Sequence, residues 1–209
     1  MVHGNNLMMQ RVLDLIRKIQ KYIVKNTLDK IFSYYMYIKS VLEIERIIII
    51  LAIVIYSLVF SYFTILRHYT FRSNAWDLGI FTQALYSLSV GKFLYYNVEP
   101  YFNPSNSFFG IHFSLILIII SPFFFIYPKA ETLLIIQSVV LALAAYPLYL
   151  YVRDRTHSSR IALVIGIIYL LNPLIQGVNW YDFHPQAFLP LFYFTAFYYL
   201  NKRQYIVSV

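Results

Sequence analysis

Two carboxylates and two imidazoles stand out in a chain with few ionisable groups: Asp77, His112, Asp182 and His184. Together such groups can serve as a general base, as a hydrogen-bonding set facing a phosphate, or as an oxygen and nitrogen site for a divalent ion. Each also has a plain structural reading. Asp77 falls three residues after Asn74, where an acid completes a capping box and opposes the helix dipole, and periodicity by itself favours that role. His112 stands at the edge of an apolar stretch, and Asp182 and His184 can cap a helix with Pro185 in its first turn. Their setting shifts the balance, because ionisable groups near a membrane plane are costly unless they face water or one another.

That setting follows from composition. Of the 209 residues, 60% are apolar, 20% aromatic and 12% charged, against about 25% charged in a soluble globular domain. The chain has no cysteine, which excludes disulfides, thiolate metal sites and a cysteine nucleophile. Its net charge of +8 gathers in the first 46 residues and in short loops, as the positive-inside rule produces, so nucleic acid is not an expected partner.

The expected fold class is an all-α polytopic membrane protein, with a basic cytoplasmic head over 1–46 and a transmembrane domain over 47–209. In the head, Arg11, Asp14, Lys18, Lys21 and Lys25 recur at spacings of three and four beside an apolar stripe of Val12, Ile16, Ile19 and Ile23. This reads as an amphipathic helix on membrane lipid, with docking of a partner as the alternative.

Residues 47–66 form an apolar run long enough for a first crossing. The arginine-rich loop 153–160 and Asn201-Lys202-Arg203 belong inside. Parity then gives spans at about 47–66, 132–152, 161–178 and 183–200 in a cell membrane, with the N-terminus cytoplasmic. The stretch 113–127 is short and interrupted by Pro122, which makes it interfacial or re-entrant.

The outer loop 67–131 should carry a helix over about 75–90, closed by Gly91, with its apolar stripe on the outer membrane surface. Residues 95–110 should be irregular; Tyr95, Tyr96, Tyr101 and Phe102 suit an interface belt or could stack on a sugar or isoprenoid. Gln137 reads as an interhelical hydrogen-bonding residue and Asn172-Pro173 as a kink. After Arg203 the chain reads as the start of a further helix, so it is expected to be the amino-terminal part of a longer protein.

Three strings taken in order, Trp76-Asp77-Leu78-Gly79-Ile80-Phe81-Thr82-Gln83, His112-Phe113-Ser114 and Asp182-Phe183-His184-Pro185, resemble the domain-of-unknown-function 2079 family of predicted membrane proteins. That family is grouped with the type-C glycosyltransferases. The resemblance implies a type-C-like helical bundle that transfers a sugar, with inversion, from a polyprenyl-phosphate donor at the outer face. Asp77 would be the base and Asp182 the second catalytic acid. His112, His184 and Gln83 would bind substrate, while Arg72 and Lys92 would offset the charge of the leaving phosphate. Asp77, Asp182 and His184 would also be the ligands of a divalent Mg or Mn ion. An acid often follows the proline in the family, whereas this chain has Gln186.

Two other classes stay open. One is a non-catalytic subunit or truncated remnant that binds lipid or a partner protein, with a second polypeptide supplying missing helices. The other is a transporter, against which no span carries paired polar or glycine interruptions in corresponding halves. The topology has a direct test: single cysteines at Ser158 and Ser105 should label from opposite sides of the membrane. Labelling from the same side would mean that 113–127 crosses.

Overall fold

The structure is a computed structural model that describes residue 18 and residues 21–37, 44–97 and 103–202. The chain divides into two compact units, Met1–Ile44 and Glu45–Val209. In the first, residues 21–37 form helix α1, whose Val24, Leu28, Ile31 and Tyr35 are exposed at helical spacing along one face. Arg11, Asp14, Val12, Ile16 and Ile19 of the expected head helix lie outside the described residues.

In the second unit, α2 (Ile44–Tyr69) is a 26-residue helix, about 39 Å at 1.5 Å per residue and longer than the expected span. Its isoleucine-rich run is apolar all round, yet only Ile49, Ile53, Tyr56 and Thr64 are buried, so one narrow stripe is covered by protein while Ile48, Leu51, Ile55 and Leu58 are exposed. Helices α5 (Ala130–Leu143) and α6 (Ala145–Thr156) join through Ala144 into a second apolar run of 27 residues. Over its most apolar window this run is 56% buried, against 22% for α2, which makes it the centre of the bundle.

Helix α7 (Ser159–Leu171) is capped by the Ser158 hydroxyl, which accepts the Ile161 N–H. Helix α8 (Pro173–Trp180) starts with Asn172 accepting the Leu174 N–H at 2.8 Å and Pro173 in its first turn. The two meet at 43°, the expected kink at Asn172-Pro173. Gly166 of α7 leaves room for the buried Ile49 of α2, whose Cδ1 would lie 2.7 Å from an added Cβ.

Two helices are therefore long and apolar enough to cross a membrane, and a third if the bent α7–α8 pair is one span. The expected fourth span is shorter than 183–200, because residues 182–188 are spent on an extended segment and a 3₁₀ turn (Pro185–Phe188). This leaves α9 (Leu189–Asn201) at about 20 Å. Helix α4 (Leu115–Ile126), with Pro122 inside it, is about 18 Å long and cannot cross alone.

Side-chain contacts set the helix directions. Arg46 Nε donates to Tyr146 Oη at 2.9 Å near the start of α2, and Tyr69 Oη donates to Glu131 Oε1 at 2.6 Å at its end, so α2 runs antiparallel to α5–α6. Glu45 meets Arg160 at 3.8 Å and Asp154 meets Lys202 at 3.5 Å, gathering the basic loops at the end where α2 starts. The segments holding Asp77 and Asp182 lie at the other end, beside Arg67 near the end of α2.

There the helix expected over 75–90 is a π-helical turn (Ala75–Gly79) followed by α3 (Ile80–Ser89). It ends as expected at Gly91, with φ of 81°. Gly91 N–H bonds Leu88 O and Lys92 N–H bonds Ser87 O, which together close a Schellman motif. The apolar stripe expected to lie on lipid is covered by protein: Phe81, Ala84 and Leu85 join Leu117, Phe124, Leu134 and Phe183 in one buried cluster. Residues 103–111 are turns and a short 3₁₀ piece, tied back by an isolated antiparallel bridge between Tyr95 and Ser107; no strand forms among the described residues. Tyr101 and Phe102 lie outside them.

Candidate functional site

The site is built on a buried acid. Between α8 and the 3₁₀ turn the chain is extended, since Pro185 disfavours helical backbone at His184, whose φ and ψ are −138° and 133°. This extension turns Asp182 into the protein, where it is 1% exposed. Arg67 Nη1 donates to Asp182 Oδ1 at 2.7 Å, and the Asn74 N–H donates to Oδ2 at 2.6 Å. A buried carboxylate holds its charge only with such partners, and removing one leaves an uncompensated charge.

Gln137, fully buried on α5, fixes the same segment from below. Its Nε2 donates to Val178 O at 3.1 Å and to Asp182 O at 3.3 Å, and its Oε1 accepts the His184 N–H at 2.8 Å. His184 Nδ1 lies 2.9 Å from Asp182 O. A carbonyl only accepts, so Nδ1 carries the hydrogen and Nε2 is turned to Asp77.

Asp77 meets that imidazole across 3.3 Å at Oδ1, and its Oδ2 accepts from Tyr181 Oη at 3.1 Å. Asn74 Nδ2 donates to Tyr181 Oη at 3.4 Å, so both sides of the contact are held by neighbours of the clamp. The Asp77 carboxylate raises the Tyr181 phenol above its ordinary value, first by accepting its hydrogen bond and then by its charge. On the alkaline side the Tyr181 donor therefore persists beyond the usual tyrosine range.

The expected capping box does not form. Asn74 makes no side-chain cap bond, and the wider π-helical turn, a geometry common at functional sites, places Asp77 against His184 and Tyr181.

Asp77, His112 and His184 line one cavity of about 720 Å³. Aromatic side chains, including Trp76, Phe81 and Phe113, make up much of its wall, with Ser114 and Gln186 as further polar groups. Three of the four residues first singled out thus share a site, and Asp182 supports it from outside the wall.

The remaining candidates fall elsewhere. Gln83 exchanges hydrogen bonds with Asn97, at 3.0 Å from its Nε2 and 3.4 Å to its Oε1, and borders a separate cavity of about 590 Å³. Lys92 lies over the Tyr95 ring at 5.4 Å, and Arg72 is exposed; neither lines the Asp77 cavity. Among the described residues no group of three or more His, Asp or Glu could hold a metal ion. The set of Asp77, Asp182 and His184 does not fit Mg or Mn, because Asp182 is turned away into its pair with Arg67.

Arg67, Tyr181 and Gln137 were not among the expected site residues. Arg67 carried a signal, since a cation closing an apolar helix is the natural partner for an acid held at the same depth. Gln137→Leu should cost about 1–3 kcal/mol in thermal unfolding, because the His184 N–H loses its acceptor in a buried setting. An unchanged midpoint would show that Gln137 does not hold this segment.

The family described as "Predicted membrane protein (DUF2079)" matches residues 67–209. No curated protein matches the chain, and no solved structure does. The matched stretch holds Arg67, the Asp77 turn, His112 and the 181–184 segment. The chain belongs to the DUF2079 family of predicted membrane proteins, whose function is unknown.

Proposed function

We propose that this chain is a membrane glycosyltransferase of the type-C class, or the amino-terminal part of one, acting on a polyprenyl-phosphate sugar at the outer face of the cell membrane. The observation that carries the reading is the Asp77 carboxylate, bonded by Tyr181 and set beside His184 on the wall of an aromatic-lined cavity.

In the proposed step, Asp77 takes the proton of an acceptor hydroxyl as its oxygen bonds to the anomeric carbon of the donor. The bond from that carbon to the phosphate oxygen breaks with inversion, and its electron pair leaves on the polyprenyl phosphate. His184 beside Asp77 can receive or share the proton, and His112 on the same wall can hydrogen-bond the acceptor. A lipid-linked donor fits better than a nucleotide sugar because the sequence has no glycine-rich phosphate cradle.

The topology belongs to the same proposal: four crossings with a cytoplasmic N-terminus and the Asp77 cavity outside. The 3₁₀ turn from Pro185 and α9 together extend about 28 Å, close to the hydrocarbon thickness, which supports a fourth crossing. The gathering of Arg160, Asp154 and Lys202 at the end away from the cavity supports the same arrangement.

A non-catalytic, ligand-binding membrane subunit is the second reading. It is favoured by the engagement of Asp182 with Arg67, which leaves one carboxylate on the cavity wall. One assay separates the two: membranes containing the full chain, supplied with polyprenyl-phosphate sugar and membrane acceptors. Transfer should fall by about 10²–10⁴-fold with Asp77→Asn and survive Arg155→Gln, at the opposite end of the bundle. Equal product from the wild type and Asp77→Asn would refute the enzyme.

A further inference from the structure

The charge of the cavity wall carries information about what it can hold. Among the described residues no lysine or arginine lines it, and its one carboxylate, Asp77, faces in. The Arg67 guanidinium is committed to Asp182 at 2.7 Å. Apart from the imidazoles of His112 and His184, an anionic group entering this space would meet a carboxylate of like charge, with no lysine or arginine to offset it.

The wall instead suits a neutral, hydroxyl-rich ring. Trp76 stands beside Asp77 and is 62% exposed, Phe113 is also exposed, and both border the cavity, so flat apolar faces are open to a ligand. Asp77, Gln186 and Ser114 add hydrogen-bonding groups that a sugar hydroxyl can donate to. Flat rings beside a few convergent polar groups provide the two contacts a sugar ring needs, stacking of its C–H face and bonding of its hydroxyls. The volume lies within the range of about 300–1,000 Å³ usual for small-molecule sites.

We propose that the Asp77 cavity is the binding site of an uncharged sugar, the acceptor, stacked on Trp76 with a hydroxyl on Asp77, and that the donor phosphate is held outside this wall. Assigning the bound sugar to the acceptor half rests on the transfer reading; the sugar site itself does not.

The chain has two tryptophans, Trp76 and Trp180, so Trp180→Phe leaves a single reporter in the cavity. The full chain with this change, in phosphatidylcholine nanodiscs, is titrated with neutral methyl glycosides, with glucose 1-phosphate and with a medium-chain alcohol. At least one neutral glycoside should shift Trp76 emission saturably, at least tenfold more tightly than the sugar phosphate. Asp77→Asn should narrow that preference by improving the phosphate, and Phe113→Ala should weaken the glycoside.

Glucose 1-phosphate binding as tightly as any glycoside, or a response to the alcohol alone, would overturn the proposal. Saturable glycoside binding in a protein that transfers no sugar would uphold the site and remove the transferase.

Discussion

A carboxylate almost wholly withdrawn from water cannot remain charged without dedicated partners, and this constraint at Asp182 organises the rest of the site. Its partners come from Arg67 near the end of α2 and from the Asn74 N–H that opens the π-helical turn. The pairing draws together two segments more than a hundred residues apart in the chain. Asp77 and His184 are then delivered to each other as neighbours of the clamped groups, three residues after Asn74 and two after Asp182. The acid that looked most like a catalytic partner is the one that positions the others.

Packing and polar contacts divide the labour. The cluster around Phe81, Leu117, Phe124 and Phe183 fixes the segments that carry Asp77 and Asp182 as a body, and a second around Ile49, Ala145, Tyr149 and Ala162 joins α2 to the α6–α7 pair. Apolar packing of this kind tolerates small slips. The hydrogen bonds of Gln137 to both Asp182 O and the His184 N–H do not, because they fix the backbone of one short extended segment. The helices supply a rigid frame, and a few buried polar groups set where the cavity wall stands.

Much of the frame was legible in the sequence, because length and hydropathy decide it. The long helices, the kink at Asn172-Pro173, the stop at Gly91 and the short, proline-interrupted helix around Pro122 follow from local rules. The meeting of Asp77, His112 and His184 was legible from motif order and parity. Other features depend on tertiary partners and were not.

The exchange of the capping role of Asp77 for contacts with His184 and Tyr181 needs the π-helical turn, which no residue spacing announces. The shortening of the last helix follows from burying Asp182 in an extended segment, and a hydropathy plot is blind to that. Arg72 and Lys92, expected to offset a phosphate, do not line the cavity, and no spacing in the loop sequence gives their distance from it.

The pair of Arg67 with Asp182, set back from the cavity wall, fixes the orientation of His184. This dependence is tested most directly by ¹⁵N NMR of histidine-labelled protein in nanodiscs, with His184 identified by its loss in His184→Gln. The wild type should show a slowly exchanging Nδ1–H for His184, bonded to Asp182 O. That signal should vanish in Arg67→Met, in protein that remains helical by circular dichroism, and persist in Arg72→Met. An unchanged His184 signal in Arg67→Met would contradict the account.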